Sequence, residues 1–204
     1  TDEWDNALPA YTLSVGITGK VPSTNYDFRV RAVYPEGNSE PIEVSFRTLG
    51  DRALPYSYGF ENNNLATDNW TLYGSTFNST CIHPEARRSG TYGFEFYYGE
   101  QNAYLMSPVF TGATTGLDVA FYYKNRSSSR IEKFQVGYTT DENVTNPADF
   151  TYGSEISGRY NWTKYENIFP EGTKRVAIKY VYTFGSYLFL DDFSFAVGLY
   201  CQQP

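Results

Sequence analysis

The feature that most constrains this chain is a two-residue alternation of large, mostly aromatic side chains that recurs along most of its length. Residues 91–98 place Tyr92, Phe94, Phe96 and Tyr98 on one face. Leu117, Val119, Phe121 and Tyr123 repeat the pattern, as do Phe134, Val136 and Tyr138, and then Val176, Ile178, Tyr180 and Tyr182. A last run spans residues 187–195. Period two is the signature of a strand with one buried face. Gly or Asn clusters separate the runs, and at most a turn is expected at Asn146–Phe150. Many short strands with turn-rich joints predict an all-β, antiparallel sandwich. With 20 Tyr and 15 Phe in 204 residues, the core is expected to be built of rings.

The first 50 residues carry a separate pattern. Tyr26–Val33 and Ile42–Phe46 alternate around the turn Pro35-Glu36-Gly37-Asn38-Ser39, which predicts a hairpin. The pieces Leu13–Ile17, Val21-Pro22-Ser23-Thr24-Asn25-Tyr26, Gly37-Asn38-Ser39-Glu40-Pro41 and Val44–Thr48 resemble the end of a fibronectin type III domain. In that family the tyrosine closes a corner onto upstream backbone, which the resemblance gives to Tyr26. A whole domain of this type needs about 100 residues. Residues 1–49 are therefore expected to be its C-terminal half, with Trp4 standing in for part of the core. Residues 50–55 lack periodicity and contain Gly and Pro, so they read as a linker. The sandwich is then expected over 56–197, and 198–204 reads as a linker into a further module.

Charge bounds the partners. The net charge of −7 argues against nucleic acid and anionic membranes. No run approaches the roughly 18 apolar residues of a membrane span. No leader pattern stands at the start, which reads as the interior of a larger protein. Five Asn-x-Ser/Thr triplets, at Asn69, Asn78, Asn125, Asn143 and Asn161, are weak signals of secretion in a chain this rich in those residues. Cys81 and Cys201 are either one disulfide or two separate thiols, and the sequence leaves both open.

The strand Leu190-Asp191-Asp192-Phe193 breaks the apolar pattern. Asp is depleted in strands, and a buried carboxylate without a partner costs several kcal/mol. Strict alternation places Asp191 on the face of Phe189 and Phe193. A cation would remove the penalty. The alternatives are solvation at a strand edge or pairing with Lys or Arg.

Four pieces in order resemble the jelly-roll modules grouped as cleaved-adhesin domains, MAM domains and carbohydrate-binding modules. They are Tyr58-Gly59-Phe60-Glu61-Asn62 with Asp68-Asn69-Trp70, then Ala86–Phe94 with its Ser89-Gly90, then Leu105-Met106-Ser107-Pro108, then Tyr187–Phe193. The resemblance implies a jelly-roll sandwich of the galactose-binding or concanavalin-like type. It also implies a structural calcium held by Glu61 and Asp191 with main-chain oxygens around Arg88–Gly90, and Asn62 and Asp192 as weaker ligands. Such an ion would tie the first strand of the domain to its last.

Catalytic constellations are not evident. His83 is the one histidine, so a His-based triad or multi-His metal site has no second member. Acids such as Glu95, Glu100, Asp141, Glu142 and Glu155 form no dense run on one strand. A non-enzymatic module is expected, secreted or on a cell surface beside other modules. Its expected partner is a glycan, recognised by rings such as Tyr122 and Trp162, or a surface protein. Protein adhesion or a MAM-like spacer is the alternative, and a glycoside hydrolase or peptidase accessory domain ranks below both.

Overall fold

The computed structural model describes residues 8–9, 11–12, 16, 25–48, 50–74, 81–98, 102–183 and 185–199. The chain divides into two units, Thr1–Gly50 and Asp51–Pro204. Trp4, Val21–Thr24 and Cys201, which carry sequence expectations, lie outside the described residues.

The first unit contains β1 (Asn25–Val30), β2 (Val33–Tyr34), β3 (Gly37–Asn38) and β4 (Ile42–Arg47). β1 and β4 pair antiparallel from Asn25↔Arg47 to Val30↔Ile42. Tyr26, Phe28 and Val30 thus share a face with Phe46, Val44 and Ile42, and the Tyr26 and Phe46 rings stack 6.0 Å apart. The opposite face is polar: Arg29 pairs with Glu43 at 3.0 Å and the Ser45 hydroxyl donates to Asp27 at 2.7 Å. The run expected as one strand over 26–33 breaks after Val30, because β2 and β3 form a small hairpin of their own. Ser39 locks it, its backbone donating to Ala32 O and its hydroxyl accepting from Ala32 N, both at 3.0 Å. The upstream backbone onto which Tyr26 is expected to close lies outside the described residues.

The second unit contains β5 (Asp51–Ala53), β6 (Tyr56–Tyr58), β7 (Thr71–Tyr73), β8 (Ile82–His83), β9 (Gly93–Phe96), β10 (Tyr104–Met106) and β11 (Val109–Thr111). There follow β12 (Leu117–Asn125), β13 (Lys133–Thr139), β14 (Thr151–Tyr152), β15 (Ile156–Ser157), β16 (Thr163–Phe169), β17 (Arg175–Val181) and β18 (Leu188–Val197). One sheet runs β16-β12-β18-β9-β8 with β6 on β18, and the other β14-β13-β17-β10-β7 with β15 on β13. Their inner faces meet through rings: Phe96 stacks on Tyr180 at 5.2 Å, and Phe134 packs on Phe121 at 6.0 Å and Tyr123 at 4.9 Å. Each such ring contributes about 1.5–3 kcal/mol by leaving water.

Most alternating sets face inward as the sequence indicates, with Leu117, Val119, Phe121 and Tyr123 all buried. The exceptions sit past strand ends: Tyr98 and Tyr182 are exposed because β9 stops at Phe96 and β17 at Val181. The stretch read as a linker differs. Asp51–Ala53 is a strand, paired in parallel with Val109–Thr111, so these residues are part of the second unit. Three residues are too few to show a period. At the other end Gly198 still holds the sandwich, donating to Gly116 O at 3.0 Å and accepting from the Thr115 hydroxyl at 2.8 Å.

The last strand is not regular. Between Ala120↔Ser194 and Tyr122↔Asp191 the ladder slips by one residue, leaving a bulge on β18. Asp192 occupies it at φ +52°, a left-handed conformation that Asp tolerates better than most residues with a Cβ. The bulge resets the alternation. Leu188, Leu190, Phe193 and Phe195 all join the core, while Phe189 and Asp191 fall on the outer face. Strict alternation therefore misplaces Asp191 relative to Phe193: the two residues point to opposite sides.

Candidate functional site

Asp191 lies on the outside of its sheet yet is fully buried, because the loop 88–92 covers it. One carboxylate oxygen accepts the backbone N–H of Arg88 at 2.6 Å and of Ser89 at 3.2 Å; the other accepts that of Asp192 at 2.8 Å. Glu61, just past β6, grips the same loop from the other side. It accepts from Thr91 N at 2.9 and 3.1 Å and from Tyr92 N at 3.2 Å. Gly90 makes this approach possible: its φ is +61°, and a Cβ there would stand 2.3 Å from a Glu61 carboxylate oxygen. Asp192 adds an ion pair with Arg88 at 2.6 Å and accepts the Ser89 hydroxyl at 2.5 Å. One loop thus latches the opening of the sandwich to its closing strand. Asn62 is not in the latch; it donates to Asp68 at 2.6 Å, which also pairs with Arg52.

Burial pushes the Asp191 carboxyl up to about 6, against the opposing pull of its three amide donors. Its folded pKa thus lies above the unfolded value of 3.8, so the folded state binds the proton more tightly. Stability relative to Asp191→Asn is therefore expected to rise as pH falls from 7.5 to 4.5, by about 2 kcal/mol. Paired chemical denaturation curves across that range measure it.

The carboxylates have the chemistry for calcium. Each of Asp191 and Glu61 has one oxygen that takes only one amide, leaving a lone pair for a cation. Among the described residues no three of His, Cys, Asp and Glu converge to hold a metal ion. Any remaining oxygens of a calcium shell would be main-chain carbonyls or water.

The same outer face carries a stripe across the strands. In register order it runs Glu95 (β9), Phe189 (β18) and Lys124 (β12), then Trp162 at the entry to β16, with His83 (β8) opposite Gly93, one diagonal step from Glu95. At about 4.8 Å per strand the stripe is about 19 Å long. Lys124 Nζ lies 5.8 Å from the Tyr160 ring and 5.9 Å from that of Trp162, and Tyr160 is 53% exposed. Beside the middle of the stripe, two residues along the strands, Tyr187 packs edge-on against stacked Tyr97 and Tyr98, with the Arg126 guanidinium 4.7 Å above its ring. Arg126 also pairs with Glu85 at 3.2 Å.

Of the two rings singled out from sequence, Trp162 lies in this stripe. Tyr122 is on the same face, but the Arg88 guanidinium sits 3.5 Å over its ring and couples it to the latch. Sequence reasoning passed over Lys124, Phe189 and Glu95 as binding residues. For Glu95 a signal existed: a Glu between two core phenylalanines on one strand must point outward.

The second unit has a jelly-roll β-sandwich fold, one it shares with solved cleaved adhesin domains and carbohydrate-binding modules. Among solved structures, the K3 cleaved adhesin domain of Lys-gingipain from Porphyromonas gingivalis W83 aligns with a TM-score of 0.59 at 18% identity, over 71% of this chain and 98% of that one. The K2 domain of Lys-gingipain aligns at 0.56 and 20% identity, covering 71% and 100%. The CBM22-1 xylan-binding domain of Paenibacillus barcinonensis Xyn10C aligns at 0.52 and 15% identity, covering 72% and 95%. Among curated proteins, a stretch of 54 residues is 41% identical to the collagen alpha-1(XII) chain of Notophthalmus viridescens, covering 26% of this chain and 6% of that protein. No family model matches the chain.

Proposed function

We propose that residues 51–204 form a non-catalytic saccharide-binding module of a secreted or cell-surface protein, with the ligand lying along the outer-face stripe. The observation that carries this reading is the stripe itself: rings at its β16 end and along one flank, with charged and hydrogen-bonding side chains beside them on a rigid sheet. Rings offer flat apolar area to pyranose faces, and a few placed polar groups take up hydroxyls. The net charge of −7 suits a neutral partner better than an anionic polymer. The xylan-binding neighbour and a carbohydrate-binding module solved with β-1,4-galactotriose suggest β-linked probes. Residues 25–48 fit the fibronectin type III reading as a neighbouring spacer.

A glycan array followed by calorimetry tests the proposal. Removing the Trp162 ring forfeits about 1.5–3 kcal/mol of buried area, so Trp162→Ala is expected to weaken binding of the best array ligand tenfold or more. Tyr73→Ala, on the outer face of the other sheet, is expected to leave it unchanged. Equal binding by Trp162→Ala and wild type would show that the stripe is not the site.

We also propose that the latch takes up calcium through Glu61 and Asp191, with Asp192 remaining paired to Arg88. A bound cation favours the ionised carboxylate, so saturating calcium should invert the pH dependence given above. EGTA should lower the melting midpoint. If neither calcium nor EGTA moves it, the latch works through its amides alone.

A further inference from the structure

We infer that Glu95 selects the ligand, accepting a neutral sugar unit with two adjacent hydroxyls and turning away acidic and cationic ones; this rests on the saccharide-binding reading of the stripe. Glu95 is only 9% exposed, yet neither carboxylate oxygen accepts a hydrogen bond from any described residue. Its oxygens reach solvent, so water stands where other carboxylates of this unit have amide partners. Its strand neighbours Phe94 and Phe96 fill the core, so the Glu95 side chain stands on the outer face, directly beside Phe189 of one flanking strand and diagonal to His83 of the other. The latch shows what this chain does with carboxylates that serve structure: Asp191, Glu61 and likewise Glu132, which accepts Thr183 N at 2.7 Å and Ser186 N at 2.8 Å, all take backbone amides. Glu95 alone among these takes no backbone amide.

The surroundings define what can fill them. Burial pushes the Glu95 carboxyl up, while His83 and Arg126 pull it down and Glu85 opposes them. Arg126 stands near it, and Lys124 lies two strands away along the stripe. Signs are mixed along the stripe, Glu95 and Glu85 against Lys124 and Arg126, so a sugar of either charge would meet repulsion as well as attraction and gain no advantage over a neutral one. A vicinal diol supplies two O–H donors to one carboxylate and brings no charge. Phe189 beside it is only 3% exposed, so the ring surface open to a sugar is that of Tyr97 and Tyr187, two residues along the strands.

The test is calorimetric titration of the full chain with neutral xylo- and galacto-oligosaccharides, a chitosan oligomer and an oligogalacturonate. Wild type is expected to bind a neutral oligomer and to reject the charged ones. Glu95→Gln should lose tenfold or more for the neutral oligomer, and Glu95→Asp should fall between. Glu95→Gln should also melt no lower than wild type, because the carboxylate it removes has no partner in the unliganded protein. A Glu95→Gln variant that binds as wild type does, while Trp162→Ala has lost binding, overturns the role of Glu95 and leaves the binding face standing. A preference of wild type for either charged oligomer, or a large drop in the melting midpoint of Glu95→Gln, overturns it as well. If wild type binds none of the four, the saccharide reading fails along with it.

Discussion

Phe193→Ala is expected to destabilise the second unit by about 4 kcal/mol, within the range for a buried phenylalanine whose site cannot collapse. The ring is 1% exposed and touches rings on several sides: Phe121 at 4.7 Å, Trp70 at 5.0 Å, Phe60 at 5.8 Å and Phe195 at 6.1 Å. These rings come from the loop after β6, the segment before β7, and strands β12 and β18, so no single neighbour can move in without breaking its own contacts. Phe193 reaches the core only because the bulge at Asp192 resets the strand. For a unit of this size the loss corresponds to a fall of roughly 8–16 °C in Tm, readable by calorimetry. A fall of under 2 °C would mean that the bulge does not place Phe193 in the core.

Asp191→Ala is expected to cost about 3 kcal/mol. The substitution strips the Arg88, Ser89 and Asp192 amides of their acceptor at a covered site, and each buried donor left without a partner costs about 1–3 kcal/mol. The net figure stays below their sum because the ionised carboxylate is itself costly to bury, as its raised pKa records. Asp192→Asn provides the contrast. Its partners Arg88 and Ser89 are exposed, surface pairs of this kind are worth about 0–1 kcal/mol, and Asn tolerates the left-handed backbone as well as Asp does. Urea denaturation of both variants at pH 7.5 gives the comparison. Equal losses would show that the charge on Asp192, rather than the amide cradle of Asp191, holds the loop.

The sandwich was legible in the sequence because most of its strands bury one face, and period two then writes itself into residues such as Leu117–Tyr123. What escaped were features without a period. Asp51–Ala53 is too short to alternate and earns its place through backbone pairing alone. The bulge was visible only as an oddity, two acids inside an apolar strand. Assuming strict alternation through them put Asp191 on the wrong face. Glu61, Asp191 and the Ser89-Gly90 turn were singled out together, and the structure brings them together, but through N–H donors that no side-chain pattern encodes. The binding stripe was the least legible part. It is assembled from one residue on each of several strands far apart in sequence, Glu95, Lys124, Trp162 and Phe189, with His83 a diagonal step away, and only the register brings them together.

The saccharide-binding reading is tested most directly by mapping where a ligand lands. Backbone amide spectra of the full chain, titrated with a neutral β-1,4-linked oligosaccharide that binds on the array, should shift at Glu95, Lys124, Tyr160, Trp162 and Phe189. Amides of the opposite sheet around Tyr73 and Tyr152 should stay still. Shifts confined to that opposite sheet, or a chain that binds no saccharide on the array yet captures a protein partner, would contradict the account.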